Sequence, residues 1–493
     1  MHKEFSFHTR LENIQKLKTK EFDLLVIGGG ITGAGIARDA ALRGLRVALV
    51  EKKDFASGTS SKSSKLIHGG LRYLETTNFK LVFEALSERH IFEKTAPRLS
   101  HPLPFLIPLY KDSRVGMFKM ACGLWLYDML SLFRAYKNHK RFSKKNILQC
   151  EPSLKEQDLK GGFLYYDCLT YDSRLTINVV QSAHKTGAVL ANYIEIIGAD
   201  STNNIVGTLL AKDVLTGKTF HVRAKNYVNA TGPWSDMTRK IIKKENNNIL
   251  RLTKGIHVIF PQHLLPTQHA FLLFAKDGRV FFLVPWGEFQ VLGTTDTDFK
   301  ESPDHVFATK KDVDYLLHSL RKYFPHNPIE HKDIISTFAG LRPLLKQEQE
   351  KESNVSREHE IKKELSNFYT IAGGKLTTYR KMAEEVVDLF SKEKCKTAEV
   401  VIEGQSPFPK SDYTEEEINI FLKEALHHEM TLTLCDFMQR RTPFFLTSKD
   451  QGLEIAEKVL PLMAAQLGWS ETRKEQELQT YLKEIALSQK FKT

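Results

Sequence analysis

The glycines of Gly28-x-Gly30-x-x-Gly33 are the residues whose type and spacing point most clearly to chemistry. Glycines at this spacing let the backbone turn tightly, and they bring the N-terminus of a following helix close to a pyrophosphate. Free N–H groups and the helix dipole at that end favour negative charge. Glu51 ends the next apolar run, where a carboxylate accepts hydrogen bonds from a ribose. The pattern predicts a dinucleotide site.

Two further turns of small residues follow much later in the chain. The run from Tyr227 to Trp234 stops at Ala230 and Gly232, where phosphates or adenosine can pass close to the backbone. The run 371–378 joins a strand to a helix through two glycines, and that helix N-terminus can face the edge of a flavin that becomes anionic on reduction. A nicotinamide enzyme needs only the first turn. Three separated turns predict FAD in an extended pose.

Parallel strands must position these turns. A strand, a helix and a second strand are predicted over 24–50, which makes a βαβ unit. Strands at 225–229 and 368–371 return to the same sheet. The β-rich runs within 256–294 predict an antiparallel sheet that forms the roof of a substrate chamber. The expected fold class is therefore α/β.

Composition limits the class of protein. A chain of 493 residues is too long for one ordinary core and predicts two or three domains. The five cysteines are scattered and form no CxxC pair, which indicates a reducing compartment and argues against a disulfide scaffold or a zinc site. The first residues are charged and contain no apolar run, so no secretory signal is expected.

The segment 111–145 carries nine Lys and Arg residues against two Asp residues, more than half of the net charge of +12. Its apolar part, 117–133, falls short of the roughly 20 apolar residues that a membrane-spanning helix needs. An apolar helix flanked by cations predicts contact with an anionic membrane surface. The alternative is a core-facing helix with a solvated basic tail. Nucleic acid is not an expected partner, because no recognisable binding module accompanies the charge.

Six segments together closely resemble the FAD-dependent, quinone-linked (aerobic) glycerol-3-phosphate dehydrogenase family. They are Gly28–Gly33, Thr59–Glu75, Asn229–Trp234, Gly293–Asp296, Gly340–Leu344 and Gly373–Arg380. The stretch 64–75 and the last box are specific to that family, whereas the first motif alone indicates a Rossmann-type flavoprotein. The resemblance is dense over about 21–390 and looser in the C-terminal helices.

This resemblance implies oxidation of sn-glycerol 3-phosphate to dihydroxyacetone phosphate, with hydride transfer to N5 of FAD and electrons then passed to a membrane quinone. It implies an α/β fold: a glutathione-reductase-like FAD-binding Rossmann domain, an antiparallel-sheet substrate domain and a C-terminal helical domain. The expected location is cytoplasmic, peripheral on the inner face of the cytoplasmic membrane. Homologues are often dimeric, so a homodimer is possible.

The expected domain organisation is a polar leader over 1–20, interleaved FAD-binding and substrate domains over 21–390, and a helical domain over 395–493. The FAD-binding segments are about 21–100, 173–235 and 335–390, and the substrate segments are about 101–172 and 236–334.

Flavin oxidation of a secondary alcohol needs an acceptor for the hydroxyl proton, and a substrate phosphate needs cations. Arg342 is the first candidate for the phosphate, because a planar guanidinium binds two oxygens at once. Arg357 is the second. A structural ion pair is the alternative for Arg342, and a solvated side chain is the alternative for Arg357.

His257 is the candidate base, because it matches the family's Lys-Gly-x-His element and histidine titrates near neutral pH. A satisfied core histidine is the alternative. His68 is the rival base but is expected to pack against the flavin. Arg72 and Tyr73 are expected near the substrate side of the ring. Lys375 is expected to counter negative charge on the reduced flavin, or else only to cap the last helix of the FAD domain.

The predicted cofactor-binding residues come from all three turns and from the Ser/Lys-rich loop. They are Gly28, Gly30, Gly33, Glu51, Thr59, Ser60, Ser64, His68, Gly69, Ala230, Gly232, Trp234, Gly373, Gly374, Lys375, Leu376 and Thr377. No metal is expected, because Asp296 and Asp298 have no histidine or further acid nearby in the sequence.

Two other functions compete with the quinone-linked dehydrogenase. One is a soluble glycerol-3-phosphate oxidase that passes electrons to O2 and makes H2O2. Such oxidases usually carry an insertion that is not visible in this sequence. The other is a flavin-binding scaffold without turnover, against which Arg342, Lys375 and His257 argue.

Overall fold

The computed structural model describes residues 4–75, 77–134, 136–245, 247–346, 358–404 and 406–492. The helices are α1 (Phe7–Thr19), α2 (Ile31–Leu42), α3 (Phe79–Thr95), α4 (Met117–Leu130), α5 (Lys144–Cys150), α6 (Asp172–Lys185), α7 (Ser235–Lys243), α8 (Lys310–Arg321), α9 (Tyr379–Asp388), α10 (Glu415–His428), α11 (Leu434–Asp436), α12 (Phe444–Thr447), α13 (Leu453–Leu467) and α14 (Glu471–Gln489). A π-helical turn spans Phe437–Arg441.

The strands are β1 (Glu21–Ile27), β2 (Val47–Val50), β3 (Leu66–Ile67), β4 (His101–Tyr110), β5 (Lys140–Ser143), β6 (Leu159–Leu169), β7 (Val189–Ala191), β8 (Ile194–Thr202), β9 (Ile205–Asp213), β10 (Thr219–Asn229), β11 (Leu250–Pro261), β12 (Ala270–Phe274), β13 (Val280–Trp286), β14 (Phe289–Gly293), β15 (Thr297–Asp298), β16 (Ser336–Leu345), β17 (His359–Leu365) and β18 (Phe368–Gly373). They form two sheets.

The first sheet has the order β17-β18-β10-β1-β2-β7. Along this order the neighbouring pairs are parallel except the β17–β18 pair. The sheet also includes β9, which pairs antiparallel with β10 and with β8. Helices α2, α6 and α9 cover one face with buried Ile36, Leu175 and Val386. The antiparallel strands β8 and β9 lie over the other face, where α1 adds Ile14 and Leu17. The predicted α/β fold class is confirmed.

This strand order explains why the three small-residue turns meet. Ile27 pairs with Asn229, and Asn229 pairs with Thr370, in parallel register. The carboxyl ends of β1, β10 and β18 therefore lie side by side at one edge of the sheet, and each glycine turn begins there. Ligands of open α/β sheets bind at this edge.

The second sheet is largely antiparallel, with the order β15-β11-β14-β13-β12-β4-β6-β3; β16 pairs with β11, and β5 pairs with β6. One face packs on α8 through Val313 and Leu316. Residues of the other face share a hydrophobic cluster with α3, α4 and the helices that follow residue 410. This sheet agrees with the antiparallel roof expected from the sequence.

Two strands from the predicted FAD-binding segments lie in the second sheet. β3 pairs with β6, and β16 pairs with β11 along its whole length, including Gly340 with Gly255. Backbone pairing with β11 holds residues 336–345 in the roof. The chain next joins the first sheet at β17. The charged residues 359–364 lie in β17, which pairs antiparallel with β18. Residues 347–357 lie outside the described part.

In the described part of the segment after residue 395, the regular elements are helices, and the first of them begins at Glu415. Buried ion pairs join this segment to the first sheet's layer. Asp54 accepts hydrogen bonds from Nε of Arg440 at 2.6 Å and from Nη1 of Arg441 at 2.8 Å. Arg174 on α6 forms a two-pronged pair with Glu429 at 2.8 and 2.6 Å. Among the described residues, no helix combines the length and the apolar character needed to cross a membrane.

Candidate active site

The first glycine turn is built so that side chains would not fit. Gly28 has φ +113°, and a Cβ there would lie 2.6 Å from the carbonyl oxygen of Ala230. A Cβ on Gly33 would collide with the carbonyl oxygen of Gly28. Helix α2 therefore starts directly against β1, with the N-terminus of its first turn at the cleft. The hydroxyl of Ser60 accepts a hydrogen bond from the Ile31 N–H at 2.9 Å and closes this corner.

Glu51 stands at the end of β2, as the ribose role requires. Its carboxylate accepts hydrogen bonds from the N–H of Gly29 at 2.7 Å and from the N–H of Lys53 at 2.8 Å. Burial raises the pKa of Glu51, and the two backbone donors act in the opposite direction. The carboxylate is held at the rim of the glycine turn.

The other two turns continue the same cleft. Gly373 and Gly374 have φ +78° and +80°, and they carry the chain from β18 towards α9. Side chains there would collide with the Glu358 carbonyl oxygen and with Met382, respectively. Most of the predicted cofactor-binding residues line one continuous cleft: Gly28, Gly30, Glu51, Thr59, Ser60, Ser64, His68, Ala230, Gly232, Trp234, Gly373, Gly374, Lys375, Leu376 and Thr377. A long cleft bordered by glycine backbone and a helix N-terminus fits an extended dinucleotide.

His68 and Gly69 join the third turn to α4. The N–H of His68 donates to the Thr377 hydroxyl at 3.1 Å. The N–H of Gly69 donates to the Tyr127 hydroxyl at 3.0 Å, and Tyr127 donates to Asp167 at 2.9 Å. Gly69 lies behind the cleft surface and packs on α3 and α4 rather than lining it.

Lys375 lines the cleft, and its Nζ lies 3.7 Å from the centroid of the Tyr73 ring. Gly70 makes this contact possible, because its φ of +76° and its missing side chain admit the Tyr73 ring. The guanidinium of Arg72 lies 5.7 Å from the same ring. Arg72 and Tyr73 stand outside the lining in the described part of the chain, and Tyr73 reaches the cleft through Lys375.

Arg342 lines the cleft from β16. Its Nη2 donates to the Thr294 hydroxyl at 2.9 Å, and its Nη1 lies 3.3 Å from Oδ1 of Asp296. Gly255 provides the space, since a Cβ there would collide with the guanidinium. Asp296 is thus the carboxylate beside Arg342. Asp298 instead pairs with Arg251 at 2.7 Å.

His257 projects from β11 and is only 3% exposed. Its Nε2 lies 2.8 Å from the Ser64 hydroxyl, and its ring stacks on Phe338 at 4.7 Å. Burial first, and then the positive charges of Arg342 and Lys65, hold the pKa of His257 well below its usual value. Its Nδ1 has no hydrogen-bond partner within the described residues. The ring is therefore neutral at pH 7, the form that can accept a proton.

The cleft brings together His257, Arg342 and Lys375, which are far apart in sequence. Arg357 lies outside the described residues. Sequence reasoning missed Lys62, which lines the cleft and whose pKa is lowered by burial. It also missed the buried pair of Lys65 and Asp172. Lys62 and Lys65 belong to the 59–75 segment, so the motif contained the signal. The site residues chosen from it were Thr59, Ser60, Ser64, His68, Gly69, Arg72 and Tyr73, and the two lysines were passed over.

Comparisons with known proteins agree with this geometry. The family model described as FAD dependent oxidoreductase matches residues 23–389, and the one described as C-terminal domain of alpha-glycerophosphate oxidase matches residues 356–474. An aerobic glycerol-3-phosphate dehydrogenase of Staphylococcus haemolyticus is 42% identical over 403 residues, covering 79% of this chain and 72% of that protein. One of Staphylococcus saprophyticus is 35% identical, covering 97% of this chain and 96% of that protein.

A solved structure extends the likeness to three dimensions. The glycerol-3-phosphate dehydrogenase from Bacillus halodurans, complexed with FAD, superposes with a TM-score of 0.81 at 30% identity and covers 99% of each chain. The cleft residues fit the cofactor that the family carries, and FAD is the cofactor of this enzyme. The chain belongs to the FAD-dependent oxidoreductases and, within them, to the aerobic glycerol-3-phosphate dehydrogenase family.

Proposed function

We propose that this enzyme oxidises sn-glycerol 3-phosphate to dihydroxyacetone phosphate and passes the electrons to a membrane quinone. The names of the relatives supply the substrate class. The proposal rests on one observation. The cleft of the three glycine turns is lined by His257, Arg342 and Lys375. Together they offer a proton acceptor and two cations to one small anionic alcohol.

Arg342 binds the substrate phosphate in this proposal. Its guanidinium is already fixed by Thr294 and Asp296, so little side-chain freedom is lost when an anion arrives. A planar fork that faces two phosphate oxygens also fixes the orientation of the rest of the substrate. Arg357 stays a prediction as a second phosphate ligand.

His257 accepts the hydroxyl proton of the substrate. FAD, when bound in the cleft, supplies a two-electron acceptor that takes the hydride at N5. His257 is kept neutral by burial and by nearby cations, so its ring has a free lone pair for the proton of a substrate hydroxyl. The hydroxyl of Ser64 at 2.8 Å orients its Nε2 edge. Lys375 places a cation where negative charge develops, and Tyr73 supports it from behind.

A membrane surface is the proposed location of the acceptor. Helix α4 buries Met120, Leu124 and Tyr127 but leaves Phe118 and Trp125 84% and 62% exposed. Exposed cations follow the helix; they are Arg134, Lys137, Lys140, Arg141 and Lys145. Exposed aromatic side chains beside cations suit the interface of an anionic bilayer. We therefore place the enzyme on the inner face of the cytoplasmic membrane; a homodimer stays a prediction.

Transfer to O2 with formation of H2O2 is the second candidate, supported by the match of residues 356–474 to an oxidase domain. Steady-state assays with glycerol 3-phosphate and either a short-chain quinone or O2 alone separate the two. We expect fast quinone reduction with dihydroxyacetone phosphate as the product, and little peroxide. Peroxide formed as fast as dihydroxyacetone phosphate would overturn the quinone assignment.

A further inference from the structure

An ion pair without solvent contact lies behind the cleft. Asp172, the first residue of α6, and Lys65 are both 0% exposed, and Nζ of Lys65 lies 2.9 Å from Oδ1 of Asp172. The second carboxylate oxygen of Asp172 accepts hydrogen bonds from the N–H of Ser63 at 2.9 Å and from its hydroxyl at 2.7 Å. One carboxylate therefore binds the residues on both sides of Ser64.

Lys65 is surrounded by aromatic rings. Its Nζ lies 4.9 Å from the ring centroid of Tyr171, 5.0 Å from that of Trp286 and 5.2 Å from that of Phe338. Phe338 also stacks on His257, with 13° between the ring planes. The cation and the histidine thus share one aromatic neighbour.

The backbone at Lys65 is bent in a way that side chains rarely adopt. Its φ is +59°, in the left-handed region. The bend turns Lys65 inward to Asp172, while the preceding hydroxyl of Ser64 lies 2.8 Å from Nε2 of His257. Because Asp172 binds both neighbours of Ser64, a shift of the Ser64 backbone, which presents that hydroxyl to His257, requires hydrogen bonds to the buried carboxylate to break.

We propose that the Lys65–Asp172 ion pair is a positioning device for the proton-transfer step, because it holds the Ser64 hydroxyl against Nε2 of His257. This inference rests on the proposed function, in which His257 accepts the substrate proton. Lys65 and Asp172 do not touch the substrate; they act through Ser64 and the histidine.

Stability alone does not account for this pair. Taking two charges out of water costs several kcal/mol per ion, and apolar replacements of buried pairs are often neutral or stabilising. Instead, the pair holds the positive charge of Lys65 close to His257. The charged groups that act on His257 are Arg342 from β16 and Lys65 from the loop before β3. Their carboxylate partners are Asp296 and Asp172, respectively. Removing the charge of Lys65 lets the imidazole protonate at higher pH.

The test uses the flavin-loaded enzyme with Lys65→Met, which keeps a long unbranched side chain and removes its charge. We expect flavin content to be retained and the rate of anaerobic flavin reduction to fall about tenfold, since small misplacements in a reacting group are costly. In the pH profile of that rate, the acid limb should move to higher pH by about one unit. In ¹⁵N-histidine-labelled protein, the imidazole signal that His257→Asn removes should titrate at correspondingly higher pH.

Two further variants keep the outcome interpretable. If Lys65→Met does not fold, Lys65→Met/Asp172→Asn leaves no unpaired buried charge and is measured in the same way. Arg43→Met is the matched control, because Arg43 forms an equally buried pair with Asp39 on α2, outside the cleft lining. We expect Arg43→Met to lose stability while its acid limb stays in place.

The failure of this inference differs from the failure of the proposed function. A folded, flavin-loaded Lys65 variant with an unmoved acid limb and an unchanged imidazole titration would overturn the positioning role. If His257→Asn reduced its flavin at the wild-type rate, the proposed role of His257 would be lost, whatever the Lys65 variants show.

Discussion

The guanidinium of Arg342 lies 3.3 Å from Oδ1 of Asp296, and Thr294 binds the same guanidinium at 2.9 Å. Arg342 comes from β16, and its two partners come from the turn that follows β14. A strand and a turn of the second sheet therefore fix one cation at the cleft. A fixed guanidinium is what recognition of a small phosphate requires.

Arg342→Ala should raise KM for glycerol 3-phosphate at least about tenfold, because a charge-assisted hydrogen bond is worth about 1.5–3 kcal/mol. FAD content should stay normal. Arg342→Lys is the matched variant: it keeps the charge, loses the fork and should recover only part of the affinity. Steady-state kinetics and the flavin-to-protein absorbance ratio measure both. Loss of flavin in Arg342→Ala would reassign Arg342 to a structural role.

Gly33→Ala should give protein with little or no bound FAD. The added methyl group collides with the carbonyl oxygen of Gly28, so α2 must move away from the turn. Gly116→Ala is the control, because a Cβ at Gly116 meets no atom within 4 Å. The absorbance of the purified proteins near 450 nm measures how much FAD each variant binds. A fully yellow Gly33→Ala protein would show that close approach of α2 is not needed for binding.

Acid should destabilise the wild type partly through His257. Its pKa is lowered in the folded protein below the ordinary value of 6.5, so the unfolded chain takes up a proton first as the pH falls. The stability contribution is complete above about pH 6.5 and is lost below it. The melting temperature should therefore drop less between pH 7.5 and about 5.5 in His257→Asn than in the wild type or in His221→Asn, whose ring is exposed. Equal drops would contradict the buried neutral state.

Charge reversal of Lys137, Lys140 and Arg141 to Glu should release the enzyme from anionic liposomes, since each cation near such a surface contributes about 1 kcal/mol. Reversal of the exposed Lys212, Lys218 and Arg223 changes the net charge equally at another site. We expect that control to co-sediment like the wild type. If both triple variants behave alike, the segment after α4 does not mediate the contact.

Asp54→Ala should destabilise the enzyme by about 3–5 kcal/mol, because it removes the buried carboxylate shared by Arg440 and Arg441. The two guanidiniums keep their pairs with Asp436 and Glu429, respectively. Asp23→Ala removes the pairs with Arg46 and Lys225, whose cationic side chains face solvent, and should cost at most about 1 kcal/mol for each pair. Urea unfolding monitored by flavin fluorescence compares them. Similar midpoints would mean that the C-terminal helices do not depend on the Asp54 contacts.

The strands and turns of the first sheet could be predicted because their patterns are local. An apolar run that ends in Gly28, Gly232 or Gly373 predicts both a strand and the turn that follows it. The position of β16 in the roof follows from its backbone pairing with β11, which its own sequence does not specify. β17 is a charged stretch, HEIKKEL, that forms a strand by pairing with β18, so its sequence carries little sign of a strand. Motif reading selected His257 and Arg342, but their partners Ser64 and Asp296 emerge only from the fold.

The central claim is that three glycine turns hold FAD beside a site for a phosphorylated alcohol. The most direct test is the visible spectrum of the purified enzyme as glycerol 3-phosphate is added without oxygen. We expect a yellow protein that bleaches when the substrate is added. His257→Asn should bleach at least about 100-fold more slowly, because a general base usually contributes a factor of that size to the rate. A protein that stays colourless after incubation with FAD, or yellow after addition of substrate, would contradict it.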